Sequence, residues 1–249
     1  MKPFSPKQPM PSLRKPCASS DALPIRVDGL SLTPDLSGAL YAADFKTLVV
    51  ADLHLEKGSS FARRGVHLPP YDTRSTLDAL LAACTRWKPE TVISLGDSFH
   101  DGAARHRLDM EDVVRIRHLT EAYDVVWLTG NHDKQPPDDL GGRIAGQITL
   151  GPIVLRHEPS SGLALESEIA GHLHPVAAVA RRGLRLRARC FATDGRRLVM
   201  PAFGAFTGGL NVKSKAFAGI FPSERFGVWM LGREGIYPLP SRVLLPDGV

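Results

Sequence analysis

The stretch "TLVVADLH", residues 47–54, decides the fold. An apolar, β-branched run reads as a buried strand. It ends in Asp52 and, two residues on, His54, both metal-ligand types. Working outward, "DTRSTLDALLAACTRW" (72–87) reads as a helix, with Leu77, Leu80, Leu81 and Cys84 at helical spacing and Asp72 or Thr73 as its cap. "TVISLGD" (91–97) is a second apolar strand, ending in Gly-Asp. "DMEDVVRIRHLTEAY" (109–123) is a second helix with acids in its first turn, and "DVVWLTGNHD" (124–133) is a third strand ending in a polar loop. The order β, α, β, α, β predicts parallel strands joined by crossover helices.

The flanks differ from this centre. Before it, residues 24–46 read as short strands separated by Gly, Pro and Asp turns. After it, "QITLGPIVLRHEP" reads as a hairpin around Gly151-Pro152, followed by the strand-rich "ESEIAGHLHP", "LRLRARCFA", "RRLVMPAFG" and "FGVWMLGREGIYPL". No long helix is expected there. The architecture predicted is two mixed sheets packed face to face with helices outside. Residues 1–22, rich in Pro, Ser and Lys, read as a disordered tail, and residues 23–249 as one domain.

Bulk composition sets limits. The 249 residues are 43% hydrophobic and 23% charged, ordinary for a soluble globular chain. No apolar run is long enough for a membrane span, and the N-terminus lacks the apolar middle of a signal peptide. Cys17, Cys84 and Cys190 are odd in number and widely spaced, which argues against a disulfide framework or a cysteine zinc site and for a reducing cytoplasm. The net charge of +5 permits an anionic partner. Residues 181–197 hold seven arginines, and Arg185, Arg187 and Arg189 alternate so as to share one strand face. They either extend a basic track or form the outer face of an exposed strand, the commoner case.

The opening pattern repeats. Apolar strands run into Asp52 and His54, into Asp97 with His100 and Asp101, into Asn131, His132 and Asp133, into His157, and into His172 and His174. In open α/β sheets, ligands collect outside the carboxyl ends of the strands. Six of the nine histidines fall in these loops, the concentration that a metal site predicts. A lone DxH or GD is common turn chemistry, but five such pieces in order make chance a poor account. Imidazole with carboxylate suits Mn, Zn or Fe, whereas an all-oxygen set would suit Mg or Ca.

This order of motifs, D-x-H, G-D, G-N-H-D, H and G-H-x-H over residues 52–174, resembles the calcineurin-like metallophosphoesterase superfamily. The resemblance implies a four-layer α-β-β-α sandwich and two divalent ions, one held by Asp52, His54, Asp97 and His174, the other by Asp97, Asn131, His157 and His172. Asp97 would bridge them. His132 would stabilise phosphoryl oxygens or protonate the leaving oxygen, and Asp133 would orient His132 through a hydrogen bond. A hydroxide bridging the ions would attack phosphorus. Arg156 stands where many members have Gly.

"DLHLEKGSSFARRG", "LPPYDT", "GDSFHD" and "PAFGAFTGGLN" further resemble the bacterial ligase-associated DNA-damage-response metallophosphoesterases. That implies a manganese-preferring phosphodiesterase or endonuclease acting on DNA, with iron and zinc as the other ions the donor set accepts, and with a ligase, a helicase and an exonuclease as repair partners. Lys57, Arg63, Arg64 and His100 are the expected substrate contacts. The glycines of "AFGAFTGGLN" are expected in tight loops under the site, and Phe203 or Phe206 in the core rather than as a platform for base stacking. The apolar C-terminal strands offer a homodimer edge. The competing readings are a metallophosphoesterase for small nucleotides or monoesters and a non-catalytic, metal-stabilised scaffold that binds protein. The full ligand set and His132 speak against the scaffold.

Overall fold

The computed structural model describes residues 23–66, 68–69, 71–162, 166–181, 183–221 and 225–247. The expected tail, residues 1–22, lies outside the described residues.

The first sheet has seven strands in sequence order: β1 (Ile25–Val27), β2 (Leu30–Pro34), β3 (Leu40–Ala42), β4 (Thr47–Val50), β5 (Thr91–Ser94), β6 (Asp124–Leu128) and β7 (Arg143–Ala145). Strands β1 to β4 pair antiparallel and β4 to β7 parallel. The crossovers are helices α2 (Asp72–Trp87) and α3 (Met110–Ala122), as the periodicity predicts. A short helix, α1 (Lys57–Ala62), precedes them and carries too few residues to show a period.

The second sheet holds β8 (Gln147–Leu150), β9 (Ile153–Arg156), β10 (Ser167–Ala170), β11 (Pro175–Arg181), β12 (Leu184–Thr193), β13 (Arg197–Val199), β14 (Leu210–Asn211), β15 (Gly227–Leu231) and β16 (Ile236–Pro240). The predicted hairpin around Gly151 is β8–β9, antiparallel, while β9, β10 and β13 run parallel. Strand β12 serves three partners: Leu184–Arg189 pair with β11, Cys190–Thr193 pair with β15 on one side, and Ala192 and Thr193 pair with β13 on the other.

Strand alternation explains the layers. Val49, Ala51, Ile93 and Leu95 pack against Leu155, Ile169, Phe191 and Met200 between the sheets. Leu48, Val50, Val92 and Trp127, on the other face, pack against Leu77, Leu80 and Cys84 of α2 and Ile116 and Leu119 of α3. The outer face of the second sheet is covered by Phe217, Ile220, Phe221 and Phe226. These give the four-layer α/β sandwich. Among the described residues the helix of the second flank is α4 (Lys215–Ala218), a single turn, in line with the absence of a long helix expected there, and the stacked rings of Phe217, Phe221 and Phe226 cover the sheet beside it.

The cap expected for α2 is corrected. Tyr71 is the N-cap, left-handed at φ 76°, with no side-chain cap bond. The candidate caps face outward to α1 instead: Asp72 Oδ2 accepts the Gly58 amide at 2.8 Å, and Thr73 Oγ1 accepts the Glu56 amide at 2.8 Å.

Candidate metal centre

The carboxyl ends of β4, β5, β6, β9 and β10 reach one rim. The first two loops stay zipped beyond their strands: His54 N donates to Asp97 O at 2.9 Å, Leu55 N to Ser98 O at 2.9 Å, and His100 N to Leu55 O at 2.9 Å. This brings Asp52 and Asp97 together on a buried floor, 0% and 2% exposed. Asn131 and His132 stand exposed at the mouth.

Backbone strain marks the same places. Asp52, His54, Asp97, His172 and His174 all have positive φ, between 45° and 69°. Such conformations cost about 1–3 kcal/mol each in non-glycine residues and persist where the surroundings impose them. The motif glycines supply the room. A Cβ on Gly130 would lie 2.1 Å from Asp97 Oδ1, one on Gly171 2.6 Å from Asp52 Oδ2, and one on Gly96 2.7 Å from His157.

Two donor clusters result. Ligand atoms of Asp52, His54 and His174 lie within 4.8 Å of one another, as do those of Asp97, His157 and His172. In the first, His174 Nε2 is 3.3 Å from Asp52 Oδ1 and 3.4 Å from His54 Nε2. In the second, Asn131 Oδ1 is 2.9 Å from His157 Nε2 and 3.0 Å from His172 Nδ1. Asp97 Oδ2 lies between the clusters, 3.9 Å from His54 Nε2 and 3.4 Å from His157 Nε2. His54, His100 and His132 form a third close group.

This donor chemistry fits cations. His157 Nδ1 lies 2.8 Å from Leu95 O, so its N–H points there and the Nε2 lone pair faces Asn131 Oδ1 and Asp97 Oδ2. Lone pairs face to face repel unless a cation or a proton sits among them. Burial alone would lower the His157 pKa, but the hydrogen bond to Asp97 and the charges of Asp52 and Asp97 push it up to about 9. Burial likewise opposes ionisation of Asp97, and His157 and the His132 amide overcome it, holding its pKa at about 2. Burial and the neighbouring His174 hold His54 down at about 3, the neutral imidazole that metal ligation uses. A ring N–H given to a backbone carbonyl, as in His157, is the usual orientation of a ligating histidine.

Around the clusters, one expectation is corrected. Asp133 does not bond the His132 ring. Its Oδ1 accepts the amides of Asp97 and Gly130, both at 3.0 Å, and its Oδ2 accepts the Phe99 amide at 3.1 Å. Three backbone donors converge on the buried carboxylate and use up its oxygens. His132 is oriented by His100, whose carbonyl lies 2.9 Å from His132 Nδ1 while the two rings stack with centroids 5.2 Å apart. No motif pointed to that carbonyl.

Of the expected substrate contacts, Lys57 is half-buried with its ammonium 5.9 Å from the Phe61 ring, and Arg63 and Arg64 are exposed. His100 is buried, its ring 5.8 Å from Phe61. The arginine row shares a face but turns to the protein: Arg185 donates to Pro246 O, Arg187 to Gly209 O at 2.8 Å and Arg189 to Ala202 O at 2.6 Å. Arg156 turns to Glu166 and Glu168, so its bulk leaves His157 in place. The "AFGAFTGGLN" loop runs beneath the first cluster, with Phe203 N on Ala51 O at 2.8 Å, Gly204 N on Asp52 O at 3.2 Å, and Phe203 in the core.

The sequence model for "Calcineurin-like phosphoesterase" matches residues 45–176, just over half of the chain and all of the strands that build the rim. The chain belongs to the calcineurin-like phosphoesterase family. It is thus a metal-dependent phosphoester hydrolase, of a family that binds divalent metals. Among solved structures, the nuclease MPE of Pseudomonas putida is similar over 87% of this chain and 98% of its own, with 30% identity and a TM-score of 0.67, in keeping with the DNA-damage-response metallophosphoesterases. The phosphoesterase Yfce of E. coli aligns over 78% of this chain and 98% of its own at 15% identity, with a TM-score of 0.40. No curated protein matches the chain in sequence. No helix among the described residues is long and apolar enough to cross a membrane.

Proposed function

We propose that this calcineurin-like phosphoesterase is a two-metal phosphodiesterase that cleaves DNA, as a cytoplasmic endonuclease in repair. One observation carries the reading: Asp97 Oδ2 faces both donor clusters, so one buried carboxylate serves two cation positions. Asp52, His54, Asp97 and His174 would hold one ion, and Asp97, Asn131, His157 and His172 the other. Manganese suits the mixed nitrogen and oxygen set, which also accepts iron and zinc. When bound, the ions supply Lewis-acid charge and lower the pKa of a water toward neutrality.

The chain's own groups do the rest. His132, with Nδ1 tied to the His100 carbonyl, presents Nε2 at the mouth, where it donates to a phosphoryl oxygen or gives a proton to the leaving oxygen. Asp133 fixes the loops bearing Asp97 and Asn131. Lys57, Arg63 and Arg64 line the approach with positive charge that suits flanking phosphates. The likeness to a nuclease supports a polymer substrate over a small nucleotide or monoester. A ligase, a helicase and an exonuclease are the repair enzymes that would act beside it.

The test offers manganese-loaded protein plasmid DNA, single-stranded DNA, bis-p-nitrophenyl phosphate and p-nitrophenyl phosphate side by side. Cleavage of DNA and the diester is expected. Activity confined to the monoester would overturn the assignment.

A further inference from the structure

Helix α1 lies beside the metal centre yet has almost no core of its own. Only Ser60 of its six residues is buried, and the side chain of its N-cap, Glu56, makes no capping bond to the helix backbone. A helix this short does not hold itself together in water. Polar ties from outside hold it. Arg107, which follows the 3-10 turn Ala104–His106, reaches back across the loop: its Nε donates to Ser59 Oγ at 2.8 Å, and one terminal nitrogen to Asp101 Oδ2 at 2.9 Å and to Glu56 O at 3.4 Å. Ser59 Oγ in turn donates to Glu56 Oε2 at 2.6 Å. Asp101 directly follows His100, so one guanidinium joins α1 to the loop that orients His132. The Arg107 side chain is only 11% exposed, too buried to meet a polymer itself.

We propose that Arg107 is a positioning residue that holds α1, with Lys57, Arg63 and Arg64, as a guide for the phosphates flanking the scissile bond, so that its loss impairs polymeric substrates and spares small ones. This rests on the phosphodiesterase reading. The physical reason is reach. A small diester needs only the ions and His132. A strand must also be held along its length, and basic residues on a turn loosened on its Arg107 side, though still tied to α2 by Asp72 and Thr73, lose orientational entropy on every binding event.

The experiment compares wild type, Arg107→Ala, Arg107→Lys and Ser59→Ala, all manganese-loaded full chains. Substrates are a single-stranded oligodeoxynucleotide and bis-p-nitrophenyl phosphate. Arg107→Ala should raise KM for the oligonucleotide by about tenfold or more, leave its kcat nearly unchanged, and leave the small diester within about twofold. Arg107→Lys, which keeps one charged bond to Asp101, should recover part of the loss. Ser59→Ala removes an acceptor without stranding a charge, and should move KM in the same direction by less. Equal losses on both substrates, or none on either, would overturn the inference. Should Arg107→Ala fail to fold, Ser59→Ala decides, and an unchanged oligonucleotide KM defeats the proposal. Fluorescence anisotropy of the labelled oligonucleotide separates the two readings. Binding that weakens in Arg107→Ala while wild type cleaves no diester sinks the hydrolase assignment alone. Binding indifferent to Arg107 sinks this one.

Discussion

The amide of His132 donates to Asp97 Oδ1 at 2.9 Å, and so settles which oxygen of Asp97 is left for cations. With Oδ1 engaged, Oδ2 is the atom facing His54 and His157 across the two clusters. Asp97→Asn keeps the shape but removes the charge that the two proposed cation positions would share. Metal content measured after gel filtration should fall by about 100-fold in affinity or more, and turnover with it. Circular dichroism of the metal-free protein should be unchanged. Full metal content and wild-type rate in this variant would show that Asp97 does not bridge.

Asp133 acts through the backbone. Burial, with the charge of Asp97, raises its carboxyl to about 7 against the pull of its amide donors. Asp133→Asn sets a side-chain N–H against one of the three backbone N–H groups that the carboxylate accepts. It should cost about 1–3 kcal/mol of stability, read from urea unfolding, and about 10- to 100-fold in manganese affinity. A loss of rate with full stability and full metal content would point instead to contact with substrate.

The motif glycines separate close approach from turn geometry. Gly130 has ordinary φ, yet a Cβ there would sit 2.1 Å from Asp97 Oδ1 and 2.3 Å from Asp97 N, both fixed by other bonds. Gly130→Ala should abolish metal binding or prevent folding. Gly208→Ala, where nothing lies within 4 Å, should leave melting temperature and activity alone. Similar behaviour of the two variants would contradict the packing argument.

Much of this was legible in the sequence because strand ends are local. The apolar runs before Asp52, Asp97, Asn131 and His157 fixed both the strands and the residues their ends present. What was not legible depends on distant partners. Asp133 sits beside His132 in the chain, yet its oxygens go to Asp97, Gly130 and Phe99 amides, because a buried carboxylate takes the nearest fixed donors. The alternating arginines of β12 look like an anion track, but Arg187 and Arg189 bond the carbonyls of Gly209 and Ala202, which no period reveals. Helix α1 is too short for any pattern, and its support, Arg107, lies 48 residues from Ser59.

The last prediction concerns the tie between the β2–β3 turn and the end of α2. Asp35 is fully buried; its Oδ2 accepts from Arg86 at 2.6 Å and from Trp87 Nε1 at 2.8 Å, and its Oδ1 accepts the Ser37 amide at 2.8 Å. Burial by itself would raise this carboxyl, but the bonds from Ser37, Arg86 and Trp87 outweigh it, and its pKa lies below the ordinary value. A group whose folded pKa is depressed stabilises the fold above its unfolded pKa, and that contribution fades as pH falls through the folded value. Asp35→Asn should therefore cost roughly 2 kcal/mol at pH 7, and the same at pH 5. The gap between variant and wild type should narrow only below about pH 4, the ordinary carboxylate range. Urea unfolding of both proteins from pH 7 to pH 3 measures it. A gap that closes between pH 7 and pH 5 would mean that a different group, a histidine, carries the effect.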